Sequence, residues 1–421
     1  MNILIVGSGA KEYTMAKEFS KYENVDLIFA APGNFAISDY AACIDIDADD
    51  ADSLAEFVKV NNIDLTVASS EKSIESDIAG KFNEEGLMIF APTAEAARIT
   101  SSKSIAKKFM YKTKIPTPKF GIFDRENMAV DYARKSKFPL VIKADFHMHG
   151  ENVFVCDSFK IAKRMIEDLF DSGNKKIVIE DFIAGQEFSY YVITDGYNAM
   201  PVSSVVPYKH VLEGNGGAIT SGLGAYSPFY MIDSTLEGRI FKEIIYPTLD
   251  ELGKNGNQYV GILGVDIILD RTGNLNVIEF NPFFKEPDAQ CVFNILDINF
   301  VDVMKAAIVG SLVDDFYEIK VKPVYSLSVV LNAGGYPQEG KYGSVISGLD
   351  EVEEHCEISH FNTRKDLHGN FVTAGGRTLV VTSNASTLEK AAQNTYESIE
   401  LINFDGKKYR KDIGKTLLIG C

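Results

Sequence analysis

The run Val277-Ile278-Glu279-Phe280-Asn281-Pro282 places two oxygen-bearing side chains two residues apart. On a strand, residues i and i+2 share a face, so Glu279 and Asn281 point the same way. A carboxylate and an amide oxygen on one face suit a hard divalent cation such as Mg²⁺, which prefers oxygen ligands and bridges phosphates. The apolar neighbours Val277, Ile278 and Phe280 predict a buried strand, where a carboxylate without a partner is costly. A metal role is therefore favoured over a solvated strand end. Lys143 ends the apolar stretch Pro139-Leu140-Val141-Ile142, and a lysine there can aim at a bound phosphate. Glu180-Asp181 closes another strand pattern, with Glu187 just beyond it. Backbone groups at such a strand end can hold a nucleotide base, and a carboxylate can hold its ribose; a solvated acidic loop is the plainer alternative. Gly7-Ser8-Gly9 follows the first apolar run, but the third glycine of a dinucleotide fingerprint falls on Glu12. The fingerprint fails, and a nicotinamide cofactor is not expected. What remains is a turn whose N–H groups can face a phosphate at a helix start, or one needed only for packing.

These residues need elements to position them. Ile3–Val6, Leu27–Ala30, Leu65–Ala68 and Leu87–Phe90 are short apolar runs. Between the first two, Tyr13, Met15, Ala16, Phe19 and Tyr22 recur at roughly helical spacing. Such alternation predicts a parallel α/β sheet over residues 1–100, with ligands at the carboxyl ends of its strands. A second unit, 101–188, opens with a helix over Lys103–Tyr111 and an extended Ile115-Pro116-Thr117-Pro118 connection, because proline disfavours helix before it. Strands over 139–144, 153–155 and 176–181 and a helix over 158–171 make it a compact α+β unit. A third stretch, 189–320, opens within an alternating strand at Glu187–Thr194. It holds a glycine-rich loop at 214–224, a helical segment over 234–252 that Pro247 should kink or split, and strands over 260–269 and 275–281. The turn Asp270-Arg271-Thr272-Gly273 joins these two strands. The remainder, 321–421, carries strands at 325–332 and 377–382, a Gly334-Gly335 turn, and a helix near 387–401.

Composition excludes some partners. With 42 Lys and Arg against 59 Asp and Glu in 421 residues, the formal charge is −17. That argues against nucleic acid, whose phosphates need excess cationic side chains, yet allows anionic small molecules in a local cationic pocket. Cys43, Cys156, Cys291, Cys356 and Cys421 are dispersed and form no CxxC pair, which disfavours a disulfide framework or structural zinc. No apolar run reaches the ~18 residues of a membrane span. The opening MNILIVGSGA lacks a basic segment, so neither membrane nor signal peptide is expected. A cytoplasmic protein, monomeric or weakly homo-oligomeric, is the expectation.

The ordered set says more than any member. MNILIVGSGAKEY is followed by Ala31-Pro32-Gly33-Asn34, Ile63-Asp64-Leu65-Thr66-Val67, Phe90-Ala91-Pro92-Thr93 and Ser102-Lys103. Then come Val141-Ile142-Lys143-Ala144-Asp145, Ile179-Glu180-Asp181-Phe182, Gly224-Ala225-Tyr226-Ser227-Pro228 and Val277–Asn281. Ala333-Gly334-Gly335-Tyr336-Pro337, Gly375-Gly376-Arg377 and Lys411-Asp412-Ile413-Gly414 complete the series. Over nearly its whole length the chain resembles the glycinamide ribonucleotide synthetases (phosphoribosylamine–glycine ligases) of the ATP-grasp superfamily. The resemblance implies a multidomain α/β and α+β protein: an N-terminal parallel-sheet (pre-ATP-grasp) domain, an ATP-grasp fold whose small lid subdomain and linking helix occupy 101–188 and whose central subdomain occupies 189–320, and a small C-terminal domain. It implies ATP-dependent ligation of glycine to 5-phosphoribosylamine in purine biosynthesis, through glycyl phosphate, with Mg²⁺ or Mn²⁺. Glu279 and Asn281 would hold the metal, and with Lys143 form the catalytic set. Lys103 and Lys143 would meet ATP phosphates, and Glu180, Phe182 and Glu187 would line the adenosine pocket. Gly7, Gly9 and Asn34 would help hold the ribose phosphate. Glu71, Glu286 and Asp288 would complete the substrate side.

The chain departs from the family in places. The glycine-rich ADGLAAGKGV loop becomes Ala144-Asp145-Phe146-His147-Met148-His149-Gly150-Glu151-Asn152-Val153, with Glu151 at the loop lysine. Glycines permit close backbone approach, and glutamate repels phosphate. His147 and His149 can supply part-time charge, though exposed loop histidines are the simpler reading. Gly-Pro-Glu becomes Ser69-Ser70-Glu71, and Gln-Asp-His-Lys-Arg becomes Val206-Pro207-Tyr208-Lys209-His210. The arginine of Arg-Phe-Gly-Asp-Pro-Glu-Thr-Gln becomes Phe283, with Lys285 two residues on. In the first motif, Arg-Glu-His becomes Lys11-Glu12-Tyr13. Three readings fit: a working member of the family, a ligase for another acid or amine, and a non-enzymatic relative that binds nucleotide or a partner. The retained Glu279/Asn281 pair and both lysines favour the first.

Overall fold

The computed structural model describes residues 1–145, 153–352 and 356–415. The altered loop, with His147, His149 and Glu151, and the terminal Cys421 lie outside the described residues.

The N-terminal strands are β1 (Asn2–Gly7), β2 (Leu27–Pro32), β3 (Ala42–Cys43), β4 (Leu65–Ala68) and β5 (Ile89–Phe90). They form one parallel sheet in the order β3-β2-β1-β4-β5. The apolar runs are continuous because both faces are covered. Ile3 and Ile5 pack with Phe19 on one side, and Leu4 and Val6 with Leu54 and Phe82 on the other. At the carboxyl end of β1 the chain turns into the helix Ala10–Phe19. Glu12 caps that helix, its carboxylate accepting from the Gly9 N–H at 2.7 Å and the Ser69 hydroxyl at 2.6 Å. This is why the third glycine is missing: position 12 is a capping residue. Gly7 must be glycine, since its φ is +146° and a Cβ there would lie 2.5 Å from the Glu12 carboxylate.

The second sheet contains β6 (Phe120–Phe123), β7 (Leu140–Ala144), β8 (Val153–Cys156) and β9 (Ile177–Asp181), in the antiparallel order β6-β9-β7-β8. The helices Glu126–Lys135 and Phe159–Asp171 cover one face. The first of these escaped the sequence reading because it buries only Ala129, Val130 and Ala133, side chains too small for a strong apolar stripe. The helix Lys103–Thr113 joins this unit to the rest through Asp145. The Asp145 carboxylate accepts from the Ser102 hydroxyl (2.9 Å), the Ser104 N–H (2.7 Å) and the Ser104 hydroxyl (2.9 Å). It therefore ties the end of β7 to the start of the helix bearing Lys103. Asp145→Ala is expected to cost about 2–3 kcal/mol, the worth of charge-assisted bonds that leave orphan donors; urea unfolding measures it.

The largest sheet has eight strands. They are β10 (Gly185–Asp195), β11 (Ala199–Leu212), β12 (Gly216–Ser227), β13 (Val260–Asp270), β14 (Leu275–Asn281), β15 (Tyr325–Asn332), β16 (Cys356–His360) and, after the ribbon β17 (Thr363–Lys365) and β18 (Phe371–Thr373), β19 (Arg377–Ala385). The order is β14-β13-β10-β11-β12-β15-β19-β16. The sheet begins at Gly185 and runs unbroken from β12 to β15, so the stretches on either side of residue 320 share it.

Two expectations change. The glycine-rich segment 214–224 is mostly strand β12 rather than loop. Gly222 is there for close approach: at φ +114° its Cβ would meet the Glu286 carbonyl oxygen at 2.6 Å. Pro247 neither simply kinks nor splits its helix. Between the helices Ser234–Ile240 and Tyr246–Lys254 the chain makes a π-helical turn, Phe241–Ile245, which accommodates the missing N–H and bulky ring of proline. Among the described residues no helix is long and apolar enough to cross a membrane.

Candidate functional site

Alternation along four neighbouring strands of the large sheet builds one polar face. On β10, Phe188, Tyr190 and Val192 enter the main core, which turns Glu187 and Ser189 the other way. On β13, Val265 and Ile267 are likewise in that core and Asp266 faces opposite; on β14, Val277 and Phe280 are in it. Asp266 stands directly across from Ser189 on one side and from Glu279 on the other. Two carboxylates facing each other across strands repel. Lysines resolve this. The Lys209 Nζ, from β11, lies 2.8 Å from Asp266, 2.6 Å from Glu187 and 3.9 Å from Glu279. The Lys285 Nζ donates to both Asp266 oxygens, at 2.6 and 2.5 Å. The Lys103 Nζ lies 3.7 Å from the other Glu279 oxygen.

Asp266, fully buried, also accepts from the Ser189 hydroxyl (2.8 Å) and from the Asn281 amide (3.3 Å). Because the Asn281 nitrogen is committed to Asp266, its amide oxygen is the atom left to meet a cation. Burial alone would raise the Glu279 carboxyl, but Lys103, Lys209, Lys285 and Lys143 outweigh it and hold it well below the usual carboxylate range. Burial likewise opposes the Lys209 ammonium, and Asp266, Glu187 and Glu279 raise it well above an ordinary lysine.

A second cluster lies at the end of β9. One oxygen of Glu180 is ion-paired with both the Lys143 Nζ at 3.0 Å and the Lys107 Nζ at 3.2 Å. All three residues are buried. Burial opposes the Glu180 anion, yet the two lysines keep its carboxyl below the ordinary value. Burial pushes the Lys107 ammonium down to about 8, with Glu180 opposing that shift and Lys143 adding to it.

Both clusters open on a single cleft of about 1070 Å³. Of the residues expected from sequence, Lys103, Lys143, Glu180, Phe182, Glu187, Glu279 and Asn281 line it, and so do Gly9, Glu71, Glu286 and Asp288. Gly7 and Asn34 are not brought to its wall. Asn34 braces the Gly7–Gly9 turn instead: its amide donates to the Ser8 carbonyl at 2.7 Å and its oxygen accepts from the Ala36 and Ile37 N–H groups at 2.9 and 3.0 Å. Two of the lining carboxylates are engaged within the protein. Glu286 accepts from the Lys11 N–H at 2.8 Å and lies 3.6 Å from Arg377. Asp288 accepts from the Tyr191 hydroxyl at 2.7 Å, and burial raises its carboxyl. Phe283, at the family's arginine position, lies under the Lys11 ammonium at 4.8 Å. Burial disfavours that ammonium, but Glu12, Glu286 and Glu71 together raise it above the ordinary value, so Lys11 puts a cation beside Phe283.

Sequence reasoning missed Lys107 and Asp266. Both had signals. Lys107 follows Lys103 by one helical turn, which places the two on one face. Asp266 is a lone charge inside the apolar run Val260–Leu269, where burial demands partners.

The donor set suits a hard cation: one carboxylate and one amide oxygen, adjacent on a strand end and facing a cleft rich in lysines. Among the described residues no three His, Cys, Asp or Glu side chains gather as a closed metal site. An open arrangement that leaves ligand positions to phosphate oxygens is the Mg²⁺ pattern.

Comparison with known proteins gives the family. Residues 1–100 match the N domain of phosphoribosylglycinamide synthetase, 101–289 its ATP-grasp (A) domain and 326–416 its C domain. A phosphoribosylamine–glycine ligase of Vibrio parahaemolyticus is 36% identical and one of Neisseria meningitidis 34% identical, each match covering 98% of both chains. The crystal structure of the Thermotoga maritima phosphoribosylamine–glycine ligase superposes with a TM-score of 0.82 at 26% identity, covering 98% of this chain and 100% of that one. A Campylobacter jejuni biotin carboxylase, at 15% identity and a TM-score of 0.73 over 100% of this chain and 95% of its own, shares the fold. Three consecutive domain matches and full-length relatives agree with the site's geometry: the chain belongs to the phosphoribosylglycinamide synthetase family, an ATP-grasp family of ATP-dependent ligases.

Proposed function

We propose that this chain joins glycine to 5-phosphoribosylamine, converting ATP to ADP and phosphate, and works in the cytoplasm as a monomer or weak homo-oligomer. The observation that carries the reading is the convergence of Lys103, Lys143, Glu180, Glu187, Glu279 and Asn281 on one cleft. The glycine carboxylate attacks the terminal phosphoryl group of ATP, giving glycyl phosphate and ADP. The amine of 5-phosphoribosylamine then attacks the acyl carbon, phosphate leaves, and an amide remains. Such a reaction needs positioning and charge neutralisation more than covalent help from the protein.

Glu279 and Asn281 would hold Mg²⁺ or Mn²⁺, which when bound neutralises phosphate charge as the phosphoryl group transfers. Lys103 and Lys143 would turn from their carboxylate partners toward the phosphates. Glu180, with Phe182 and Glu187, would frame the adenosine. The Gly7–Gly9 turn, braced by Asn34, would help hold the ribose phosphate. Glu71, Glu286 and Asp288 would line the acid and amine end.

A second reading, a ligase for another acid or amine at the same site, is favoured by Phe283 and the Lys11 ammonium above it. A coupled assay for ADP release separates the two. Release only when glycine and 5-phosphoribosylamine are both present is the expected result. Release with a different acid or amine selects the second reading. ATP binding without any release would sink both.

A further inference from the structure

We infer that Lys107 is a positioning residue that keeps Lys143 available to the nucleotide although Lys107 itself does not line the cleft. The inference rests on the assignment of Lys143 to the ATP phosphates. Its first support is charge counting in a dry wall. Lys107, Lys143 and Glu180 are 1%, 3% and 1% exposed, so their interactions are little screened by water. Glu180 offers the same oxygen to both ammonium groups, at 3.2 Å from Lys107 and 3.0 Å from Lys143. If Glu180 faced Lys143 alone, the pair would be neutral, and Lys143 would be drawn into it and away from any phosphate. With two lysines on one carboxylate, the trio keeps a net positive charge, and Lys143 is its cation on the cleft wall, beside Glu180.

The second support is the anchoring of Lys107. Its Nζ donates to the Thr117 hydroxyl at 2.6 Å, and that hydroxyl donates to the Val277 carbonyl at 2.8 Å. Val277 is two residues before Glu279 on β14. Lys107 thus links the helix Lys103–Thr113 to β9, which carries Glu180, and to β14, which carries Glu279 and Asn281. A purely structural position in this wall would do better with an apolar side chain, because a buried cation beside another cation costs desolvation and repulsion. The lysine makes sense when the excess charge is used.

The test is Lys107→Met, which keeps the length and removes the charge. Equilibrium binding of ATP with Mg²⁺ is expected to weaken by about tenfold or more, while the KM for glycine stays within about twofold. Lys107→Arg is expected to bind ATP within about threefold of the unaltered protein. The binding readout needs no turnover, so it tests the inference even if ligation of glycine proves wrong. Unchanged ATP affinity in Lys107→Met, equal weakening for ATP and glycine, or a Lys107→Arg variant as weak as Lys107→Met would overturn it. Should Lys107→Met not fold, Thr117→Val removes the hydroxyl tether and leaves Lys107, toward β14, only its longer 3.5 Å bond to the Val277 carbonyl. A loss of ATP affinity that Thr117→Ser restores is then expected, and unchanged affinity in Thr117→Val would count against the inference.

Discussion

Glu279→Gln is expected to reduce ADP release by about 10²–10³-fold, the scale on which one preorganised electrostatic group counts in a transition state. The change keeps the shape and one oxygen but removes the negative charge that a divalent cation needs. Stability should fall modestly, because the lysines that hold the Glu279 carboxyl below its usual range lose their anion. The Glu279 side chain is still 26% exposed, and its nearest cations lie 3.7 and 3.9 Å away, beyond hydrogen-bond length. Pairs this loose and wet contribute at most about 1 kcal/mol. Lys209 retains Glu187 and Asp266 as closer partners. The two measurements belong together: ADP release with both substrates, and the denaturant midpoint. Near-normal turnover would show that the metal assignment is wrong, and a collapse of the midpoint would show that Glu279 acts through the fold.

Asp266→Ala should behave in the opposite way, costing about 3–5 kcal/mol of folding stability, as breaking a buried ion pair from one side does. Asp266 satisfies Ser189, Asn281, Lys209 and Lys285 from a fully buried position. Lys209 can fall back on Glu187. Among the described residues, Lys285 makes no other ion pair. Removing the orphaned cation as well should recover part of the loss, so Asp266→Ala with Lys285→Met is expected to be more stable than Asp266→Ala alone. That non-additivity, read from urea unfolding of the single and double variants, is the signature of a direct pair. Additive losses would mean that the two residues act independently. Activity should fall in both variants, because Asn281 loses the partner that orients its amide.

The departures from the family pattern acquire a physical meaning in this frame. Phe283 stands where the resemblance implies an arginine, and the Lys11 ammonium lies over its ring. Lys285 adds a cation two residues further on, but Asp266 neutralises it. The Lys11 ammonium is in turn paired with Glu12 at 3.0 Å, so neither lysine leaves an unpaired cation at the acid end of the cleft, which is why the assay with alternative acids and amines is informative.

The overall charge of −17 argued against nucleic acid, and it says little about the cleft. There Lys103, Lys143 and Lys209 line a wall whose carboxylates they nearly balance.

The sequence by itself determined what is local. Apolar runs marked β1 and β4 because a parallel strand buried on both faces has few polar positions to interrupt it. The period of two alone puts Glu279 and Asn281 on one face. The ordered motifs carried the family and, with it, the cleft residues. Only the tertiary structure decided which charges neutralise which. Asp266 meets Lys209 across 57 residues of chain and Lys285 across 19, and Lys107 meets Glu180 through contacts between a helix and a distant strand. Strand β12 was hidden by its glycines, of which Gly222 admits the Glu286 backbone, and the helix Glu126–Lys135 by small side chains. Propensity and periodicity act over a few residues. Cross-strand register and burial act between segments that the chain brings together only on folding, and it is burial, by stripping water from these carboxylates and lysines, that makes their partners matter.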